Sequence, residues 1–399
     1  MSPRPPFHLR RRTVVRGLLS AGAFGLTSQF WTACAASNDA DTADTASPDA
    51  GTDPTETPII VGFIYVGPKD DFGYNQSHAE AAAAMAASFP GITIVEEASI
   101  PETTAVQETM RNMIEQDGAT VLFPTSWGYF DPHSLQVAAE FPEVQFFHHN
   151  RPIEAGYPRN MGAYFTSLVE PAYVAGVVAG KTTQSGRLGL VVPKPIPVVL
   201  QEMNAFVLGA RSVNPEITAQ VVITGDWSLP IKEAEAANSL IDQGADVLIT
   251  RVDSPKVVLT TAQERGVYCC GYHVDQSGIS PETYLTGVEW NWLQAQSAYA
   301  EMLQAGKTIM NGGIPRELSG GLKEGFSKIS PYGTAVTAEA KAAAESVTET
   351  LKAGELVIFP GGLKDNQGNV VVPEGDAFTL GDPRLNTIDW FVEGIQADS

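Results

Sequence analysis

From residue 59 onward, short apolar runs alternate with longer segments in which apolar and polar positions suit helices. The first run, residues 59–66, has the sequence IIVGFIYV. It contains no charged residue and is rich in β-branched side chains, which is typical of a strand buried on both faces of a parallel sheet. Gly67 and Pro68 end this run. The pattern therefore predicts a first strand that stops at a sharp turn.

The loop after this strand is the first candidate for ligand binding. The stretch AEAAAAMAAS predicts a helix, which Asn75 or Ser77 can cap. The loop therefore lies at the carboxyl end of a strand, where open α/β sheets bind their ligands. The ring of Tyr74 and the amide of Asn75 suit a flat small molecule with hydrogen-bonding groups. A turn packed on its own sheet explains the same residues equally well.

The alternation of strands with helices of ten to fifteen residues continues to the end of the chain. This pattern predicts an α/β fold of two doubly wound parallel-sheet lobes with a ligand cleft between them. We expect residues 59–165 and about 290–312 to form lobe 1. Residues 166–289 and about 313–399 are expected to form lobe 2.

The first 33 residues predict an export signal. Five arginines precede a short, mildly apolar segment, as in signal peptides. The sequence RRRTVV is similar to a twin-arginine signal, and Cys34 ends a stretch similar to a lipobox, in which the cysteine becomes lipidated. Trp31 stands where a lipobox usually has leucine, so an export signal with a spare cysteine is the alternative. The expected location is the cell envelope, either anchored to the outer face of the cytoplasmic membrane or periplasmic.

Residues 34–58 have the composition of a disordered acidic tether. They contain six acidic residues, no basic residue and no large apolar residue, so they cannot build a hydrophobic core. Without the signal arginines and the tether acids, the remaining chain has a formal charge of roughly −20. Such an acidic body argues against nucleic acid as a partner and against a basic membrane-binding face. We therefore expect contact with the membrane through a lipid anchor only.

Motifs for catalysis and for metals were not found in the sequence. There is no G-x-S-x-G nucleophile motif, and GVVAGKT at residues 176–182 is one residue short of a phosphate-binding loop. Cys269 and Cys270 are adjacent and fit two small buried strand residues better than a redox or metal pair. His148 and His149 lack further ligands at the spacing that zinc needs. The sequence predicts a protein that is not an enzyme and that has no cofactor.

Aromatic, amide and acidic residues follow the predicted strands of both lobes. A single tryptophan at such a place is more often packing than ligand contact. Four of the six tryptophans fall at these ends, which favours a cleft that holds a planar ligand between rings. The candidate ligand-binding residues are Tyr74, Asn75, Trp127, Trp227, Asp253, His273, Asp275, Trp290 and Trp292.

Several stretches resemble the basic membrane protein family of ABC-transporter substrate-binding lipoproteins, also called purine nucleoside receptor-like proteins. These stretches include VGFIYVGPKDDFGYNQSH, PTSWGYFDP, YVAGVVAGKTTQSGRLGLV, GVEWNW and FPGGLKDNQG, and they follow the family's order over nearly all of residues 59–395. The resemblance implies a type I periplasmic-binding-protein fold. It also implies a monomer that closes on a purine and delivers it to an ABC permease in the membrane.

The resemblance also suggests which purine is bound. Nucleoside binders of the family hold ribose with an acid in a G-x-D-x-D-Q stretch and with a later lysine. Here His273 stands at the first acid of that stretch, and residues 287–292 contain no lysine. We therefore expect a free purine base, with adenine first. Tyr74 and a tryptophan would stack on it, and Asn75 with Asp253 or Asp275 would contact its edge.

Three other functions fit the same cleft. A purine nucleoside is the first alternative, because Asp275 could supply the acid after a shift of the alignment by one position. A sensor that presents its ligand to a membrane kinase is the second, and it would differ only in its partner. An enzyme acting on purines is a third possibility, for which the sequence offers no nucleophile.

Overall fold

The computed structural model describes residues 58–149 and 151–397. The predicted export signal, the lipidation site at Cys34 and nearly all of the tether lie outside the described residues. Within the described part of the chain, no helix is both long and apolar enough to cross a lipid bilayer.

The first half of the described chain builds most of a six-stranded sheet. Its strands are buried runs of large apolar residues, and each helix follows a strand and covers a face of the sheet. The elements are β1 (Ile59–Ile64), α1 (Tyr74–Ser88), β2 (Ile92–Glu97), α2 (Thr104–Glu115), β3 (Val121–Pro124), α3 (Leu135–Glu140), β4 (Gln145–His149) and β5 (Met161–Thr166).

The second part of the chain builds a seven-stranded sheet in the same way. Its elements are α4 (Val169–Thr182), β6 (Arg187–Val192), α5 (Pro197–Val213), β7 (Thr218–Ile223), α6 (Pro230–Asp242), β8 (Val247–Thr250), α7 (Lys256–Arg265), β9 (Tyr268–His273) and β10 (Tyr284–Trp290). The remaining elements return to both sheets. They are α8 (Trp292–Gln304), β11 (Glu317–Gly320), β12 (Ser327–Ile329), α9 (Ala338–Lys352), β13 (Phe359–Pro360), β14 (Ala377–Phe378) and β15 (Ile395–Ala397).

The strand orders confirm two doubly wound sheets. The first sheet has the order β11-β5-β4-β3-β1-β2, and all its strands are parallel. The second has the order β12-β10-β9-β8-β6-β7-β15, in which only the β10–β12 pair is antiparallel. Strands β13 and β14 pair separately. The predicted α/β fold with parallel sheets in two lobes is therefore confirmed.

The chain passes between the two sheets three times, after β5, after β10 and after β11. We expected residues from about 313 onward to lie with the second sheet, but β11 pairs with β5 of the first sheet. The sequence of β11, ELSG, is a half-exposed edge strand without an apolar run, so its pattern does not distinguish it from a loop. The last crossing therefore comes after residue 320.

The core between α4 and α5 depends on glycine. A Cβ on Gly176 would stand 1.9 Å from the carbonyl oxygen of Phe206, and a Cβ on Gly209 would stand 2.0 Å from that of Tyr173. The two helices therefore pack backbone against backbone. This contact fixes α4 and α5, both of which begin at the carboxyl edge of a sheet.

Candidate functional site

The carboxyl edges of the two sheets meet through the loops that follow β1, β8 and β9. The N–H of Tyr74 donates to the carbonyl oxygen of Asp253 at 2.9 Å, and the hydroxyl of Ser254 donates to the carbonyl oxygen of Asp71 at 2.6 Å. The side chain of Gln276 donates to the carbonyl oxygen of Phe72 at 2.6 Å. The cleft between the sheets is therefore closed.

The loop after β1 is held by Asp71. Its buried carboxylate accepts hydrogen bonds from the N–H groups of Gly73 at 2.9 Å and Asn75 at 3.0 Å. The side-chain amide of Asn75 donates to Asp71 at 2.7 Å and accepts from the N–H of Gly67 at 3.1 Å. Asn75 and Ser77 lie inside α1, so the prediction that one of them caps the helix was wrong. The amide of Asn75 holds the loop.

Seven rings from both sheets form an aromatic cluster at the closed edge. The rings of Trp290 and Trp292 stack with centroids 4.4 Å apart, and His78 stacks on Trp292 at 4.1 Å. The ring of Tyr74 meets Trp290 and Trp292 edge-on at 6.4 and 6.2 Å. The cluster consists of Tyr74, His78, His149, Tyr164, His273, Trp290 and Trp292.

His273 uses both ring nitrogens within the protein. Its Nδ1 accepts from the indole N–H of Trp290 at 2.8 Å, and its Nε2 lies 3.0 Å from the carbonyl oxygen of Val252. The ring therefore carries its proton on Nε2, because a carbonyl oxygen can only accept. Burial also lowers the pKa of His273, which keeps the ring neutral. No polar atom of this side chain remains for a ligand.

Asp253 is a buried acid without a partner. It is 7% exposed, and among the described residues its carboxylate has neither a hydrogen-bond donor nor an ion-pair partner. Burial raises the pKa of Asp253. The carboxyl oxygens of Asp253 are not among the fully buried atoms without a partner, so they are accessible beside the cluster and available to a ligand.

Sequence reasoning missed Arg251, which follows β8 two residues before Asp253. This buried guanidinium donates from Nε to Glu202 at 2.7 Å and lies over the ring of Trp290, 5.6 Å from its centroid. Glu202 is buried as well and also accepts from the hydroxyl of Tyr272. A charged residue directly after a buried strand was the available signal. Arg251 places a positive charge behind the aromatic cluster.

His78, His149 and Tyr164 were also missed. Both ring nitrogens of His78, Nε2 of His149 and the hydroxyl of Tyr164 are buried without a hydrogen-bond partner. The hydroxyl of Tyr74 donates to the carbonyl oxygen of Thr125 at 2.6 Å and lies 3.2 Å from Nδ1 of His149. Each of these residues lies at the carboxyl end of a strand or the start of a helix, which was the only sequence signal.

The other predicted residues are more scattered. Trp227 is half-buried beside Asp253, and its carbonyl oxygen accepts from the N–H of Asp253 at 2.8 Å. Trp127 is 38% exposed and lies 4.6 Å from the guanidinium of Arg151. Asp275 is exposed and accepts from the N–H of Ser277. The structure therefore does not bring Trp127 or Asp275 into the aromatic cluster.

The site offers aromatic rings, one unpartnered acid and one buried guanidinium. In the described part of the chain, no three histidine, cysteine or acidic side chains are arranged to hold a metal ion. Cys269 and Cys270 are buried free thiols whose pKa values burial raises, so they stay protonated and unreactive. The arrangement suits recognition of a small molecule.

A family model described as "ABC transporter substrate-binding protein PnrA-like", or Bmp, matches residues 59–354. The chain belongs to this family. The Bmp family consists of binding proteins and not enzymes, and it is extracytoplasmic. The predicted family membership, fold class and lack of enzymatic activity are therefore confirmed.

Curated relatives of this Bmp-family protein differ in their ligands. The chain is 33% identical over 346 residues to a purine-binding protein of Brucella abortus, a match that covers 85% of this chain and 93% of the relative. It is 30% identical over 375 residues to a putative ABC transporter glucose-binding protein of Haloferax volcanii, which covers 93% of this chain and 88% of that relative.

Solved structures support the fold. An ABC transporter solute-binding protein of Conexibacter woesei matches with a TM-score of 0.59 and 23% identity, covering 75% of this chain and 97% of that one. A solute-binding protein of Aeropyrum pernix matches with a TM-score of 0.62 and 18% identity, covering 77% and 93%. Both are ABC solute-binding proteins, in agreement with two lobes around a cleft.

Proposed function

We propose that this Bmp-family protein binds a free purine base, with adenine first, in the cleft between its sheets and delivers it to an ABC permease. The observation that carries this proposal is the buried carboxyl group of Asp253, which has no partner among the described residues and lies beside the aromatic cluster. Rings such as Tyr74, Trp227 and Trp290 supply faces for a planar base. Each base–aromatic stack contributes about 1–3 kcal/mol.

The raised pKa of Asp253 is in keeping with adenine as the ligand. A protonated carboxyl group has one donor and one acceptor side by side. Adenine presents a matching pair, an acceptor ring nitrogen next to its amino group. A free guanine base also presents one, because its N1–H lies beside the O6 acceptor, so titration has to decide between the two bases. Burial raises the pKa of Asp253, which favours the neutral form of its carboxyl group.

The surroundings of His273 favour a base over a nucleoside. The resemblance to nucleoside binders implies an acid at this position that holds ribose, but here the residue is His273 and both its ring nitrogens already have partners within the protein. The indole of Trp290 stands beside it and is 4% exposed. The ribose of a nucleoside would therefore contact an aromatic ring where it needs an acceptor for its hydroxyl groups. The purine-binding relative from Brucella abortus supports the purine class.

Glucose is the second candidate ligand, because of the relative from Haloferax volcanii. Sugar hydroxyls need several free hydrogen-bonding groups, and Asp253 with Arg251 could supply a donor and an acceptor. The aromatic cluster suits a flat heterocycle better than a sugar ring with hydroxyls around its rim.

Calorimetric titration of the purified protein with adenine, guanine, adenosine, inosine and D-glucose tests the proposal. Adenine is expected to bind most tightly. Tighter binding of a nucleoside than of either base would reject the base, and tighter binding of glucose than of every purine would reject the purine class.

Variants of Asp253 test the contact itself. Asp253→Ala should weaken adenine binding about tenfold or more, because the hydrogen bonds between the carboxyl group and the base are lost. Asp253→Asn should keep most of the affinity, since an amide also presents a donor beside an acceptor. Equal losses in both variants would contradict a neutral carboxyl. Asp275→Asn is the control, and a loss there would assign the edge contact to Asp275.

We also propose that Cys34 is lipidated and is the protein's membrane contact, and that the folded part is a monomer. The expected product has a diacylglyceryl group on Cys34 as its first residue. Mass spectrometry of the protein from membranes would detect that added mass. Recovery of unmodified protein from the soluble fraction alone would contradict the anchor.

A further inference from the structure

A cavity of about 600 Å³ lies beside two of the crossings between the sheets. Its walls come from the end of β5, the start of α4, the start of α5, strand β11 with the turn after it, the end of α9 and residues 380–386. No ring of the aromatic cluster lines it. Its volume is in the range of sites for small molecules.

The buried acid of this cavity is Glu170, at the start of α4. It is 6% exposed, and one carboxylate oxygen accepts from the N–H of Leu322 at 2.8 Å. Among the described residues Glu170 has no ion-pair partner. The carboxylate therefore has no cationic partner among the described residues. A cationic ligand in the cavity could supply that partner.

The remaining charged groups of the lining are mostly acidic or already paired. Glu202 pairs with Arg251, and Asp382 pairs with Arg384. The other charged side chains of the lining are Glu317, Glu324, Lys323 and Lys352, all of which are exposed. Exposed lysines keep their ammonium groups in water. Glu170 is therefore the buried acid of the cavity that has no cationic partner among the described residues.

A second polar group of the lining also lacks a partner. Thr166, the last residue of β5, is 2% exposed, and its hydroxyl oxygen has no hydrogen-bond partner. Buried hydroxyl groups nearly always have one. Thr166 lines the same cavity as Glu170.

The wall also has an apolar part. Leu168, Val198 and Leu351 line it, and Leu380 stands at its mouth with 45% of its surface exposed. We propose that this cavity is a second binding site, for a small organic cation that consists of an amine on an apolar body. The ammonium group would bind Glu170 and the hydroxyl of Thr166, and the body would lie against Leu380.

The test uses three probes of the same shape and different charge: cyclohexylamine, cyclohexanol and cyclohexanecarboxylate. Binding is measured by saturation-transfer NMR and by titration at pH 7. Cyclohexylamine alone is expected to bind. Binding of cyclohexanol or of cyclohexanecarboxylate with equal affinity would overturn the proposal, because the site would then not select a cation.

Two variants locate the site. Glu170→Gln keeps the shape and removes the charge, and it should weaken cyclohexylamine binding about tenfold or more. Leu380→Ala removes an exposed side chain, so the fold should stay intact while amine binding weakens. The control is Glu349→Gln, an exposed acid on α9 outside the lining. Unchanged affinity in both Glu170→Gln and Leu380→Ala would overturn the proposal.

Discussion

The backbone N–H of Tyr74 donates to the backbone carbonyl oxygen of Asp253 at 2.9 Å, and this bond joins a loop of the first sheet to a loop of the second. Gly73 lies at the same contact. A Cβ at this position would stand 1.9 Å from the carbonyl oxygen of Asp253. The sheet edges can approach this closely only because residue 73 has no side chain.

Gly73→Ala is therefore expected to hold the cleft open. The added methyl group would overlap the carbonyl oxygen of Asp253, and such overpacking costs about 1–3 kcal/mol. The affinity for the ligand should fall about tenfold, because closure is required for binding. Small-angle scattering with ligand should give a larger radius of gyration than the unmodified protein.

The control for this variant is Gly278→Ala, since no atom lies within 4 Å of a Cβ there and the backbone is not left-handed. Gly278→Ala should compact on ligand addition as the unmodified protein does. A Gly73→Ala variant that compacts to the same radius would show that this contact does not limit closure.

Much of the fold could be predicted because its strands are unusually apolar. Runs such as VLFP in β3 and VLIT in β8 are buried at every position, so their composition distinguishes them from the amphipathic helices between them. β11 could not be predicted, since pairing with β5 defines this edge strand and no apolar pattern does. Its sheet is set by contacts distant in sequence.

The site was only partly predictable. Tyr74 begins α1, Trp290 ends β10 and Trp292 begins α8. The structure brings these three rings together. The residue that caps α1 was predicted wrongly. The carboxylate of Asp71 accepts from N–H groups of the first turn, and it can do so because the backbone at Phe72 is left-handed, which the sequence does not specify. Arg251 was missed because one charged residue beside an apolar strand does not reveal its partner.

Trp290→Ala is expected to weaken binding of the purine. The indole stacks on Trp292 and donates a hydrogen bond to His273. Its loss therefore removes an aromatic face and leaves the ring of His273 without this hydrogen bond. The expected loss is about 1–3 kcal/mol of binding free energy, measured by calorimetric titration. The comparison is Trp390→Ala, a half-buried tryptophan that packs near Phe359 outside the cluster. If both variants bind equally well, Trp290 is not part of the site.

Glu202→Gln is expected to destabilise the fold strongly. Glu202 is 1% exposed and compensates the buried guanidinium of Arg251 at 2.7 Å. Removing one charge leaves the other uncompensated in the interior, which costs about 3–5 kcal/mol. Urea unfolding measures the loss.

The matched control for Glu202→Gln is Glu349→Gln. Glu349 pairs with Lys352 on the exposed face of α9, and such pairs contribute about 0–1 kcal/mol. A free energy of unfolding that falls equally little in both variants would mean that the buried pair is not required for stability.

Buried histidines are expected to lower the free energy of unfolding as the pH drops from 7 to 4. Burial lowers the pKa of His148 to about 4, and it also lowers the pKa values of His78, His149 and His273. Above the ordinary histidine pKa of 6.5, His148 is neutral in both the folded and the unfolded states, and the free energy of unfolding does not depend on its protonation.

Below that pH the unfolded chain binds a proton that folded His148 does not bind, so the free energy of unfolding decreases until the pH reaches the folded-state pKa. For His148 alone the decrease is on the order of 3 kcal/mol. Urea unfolding at pH 7, 6, 5 and 4.5 should show a smaller decrease for His148→Gln than for the unmodified protein. The control is His133→Gln, at a half-exposed histidine beside Gln107, which should retain the full decrease. An identical decrease in His148→Gln and the unmodified protein would contradict this origin, because a histidine kept neutral by burial must contribute to the pH dependence in proportion to its pKa shift.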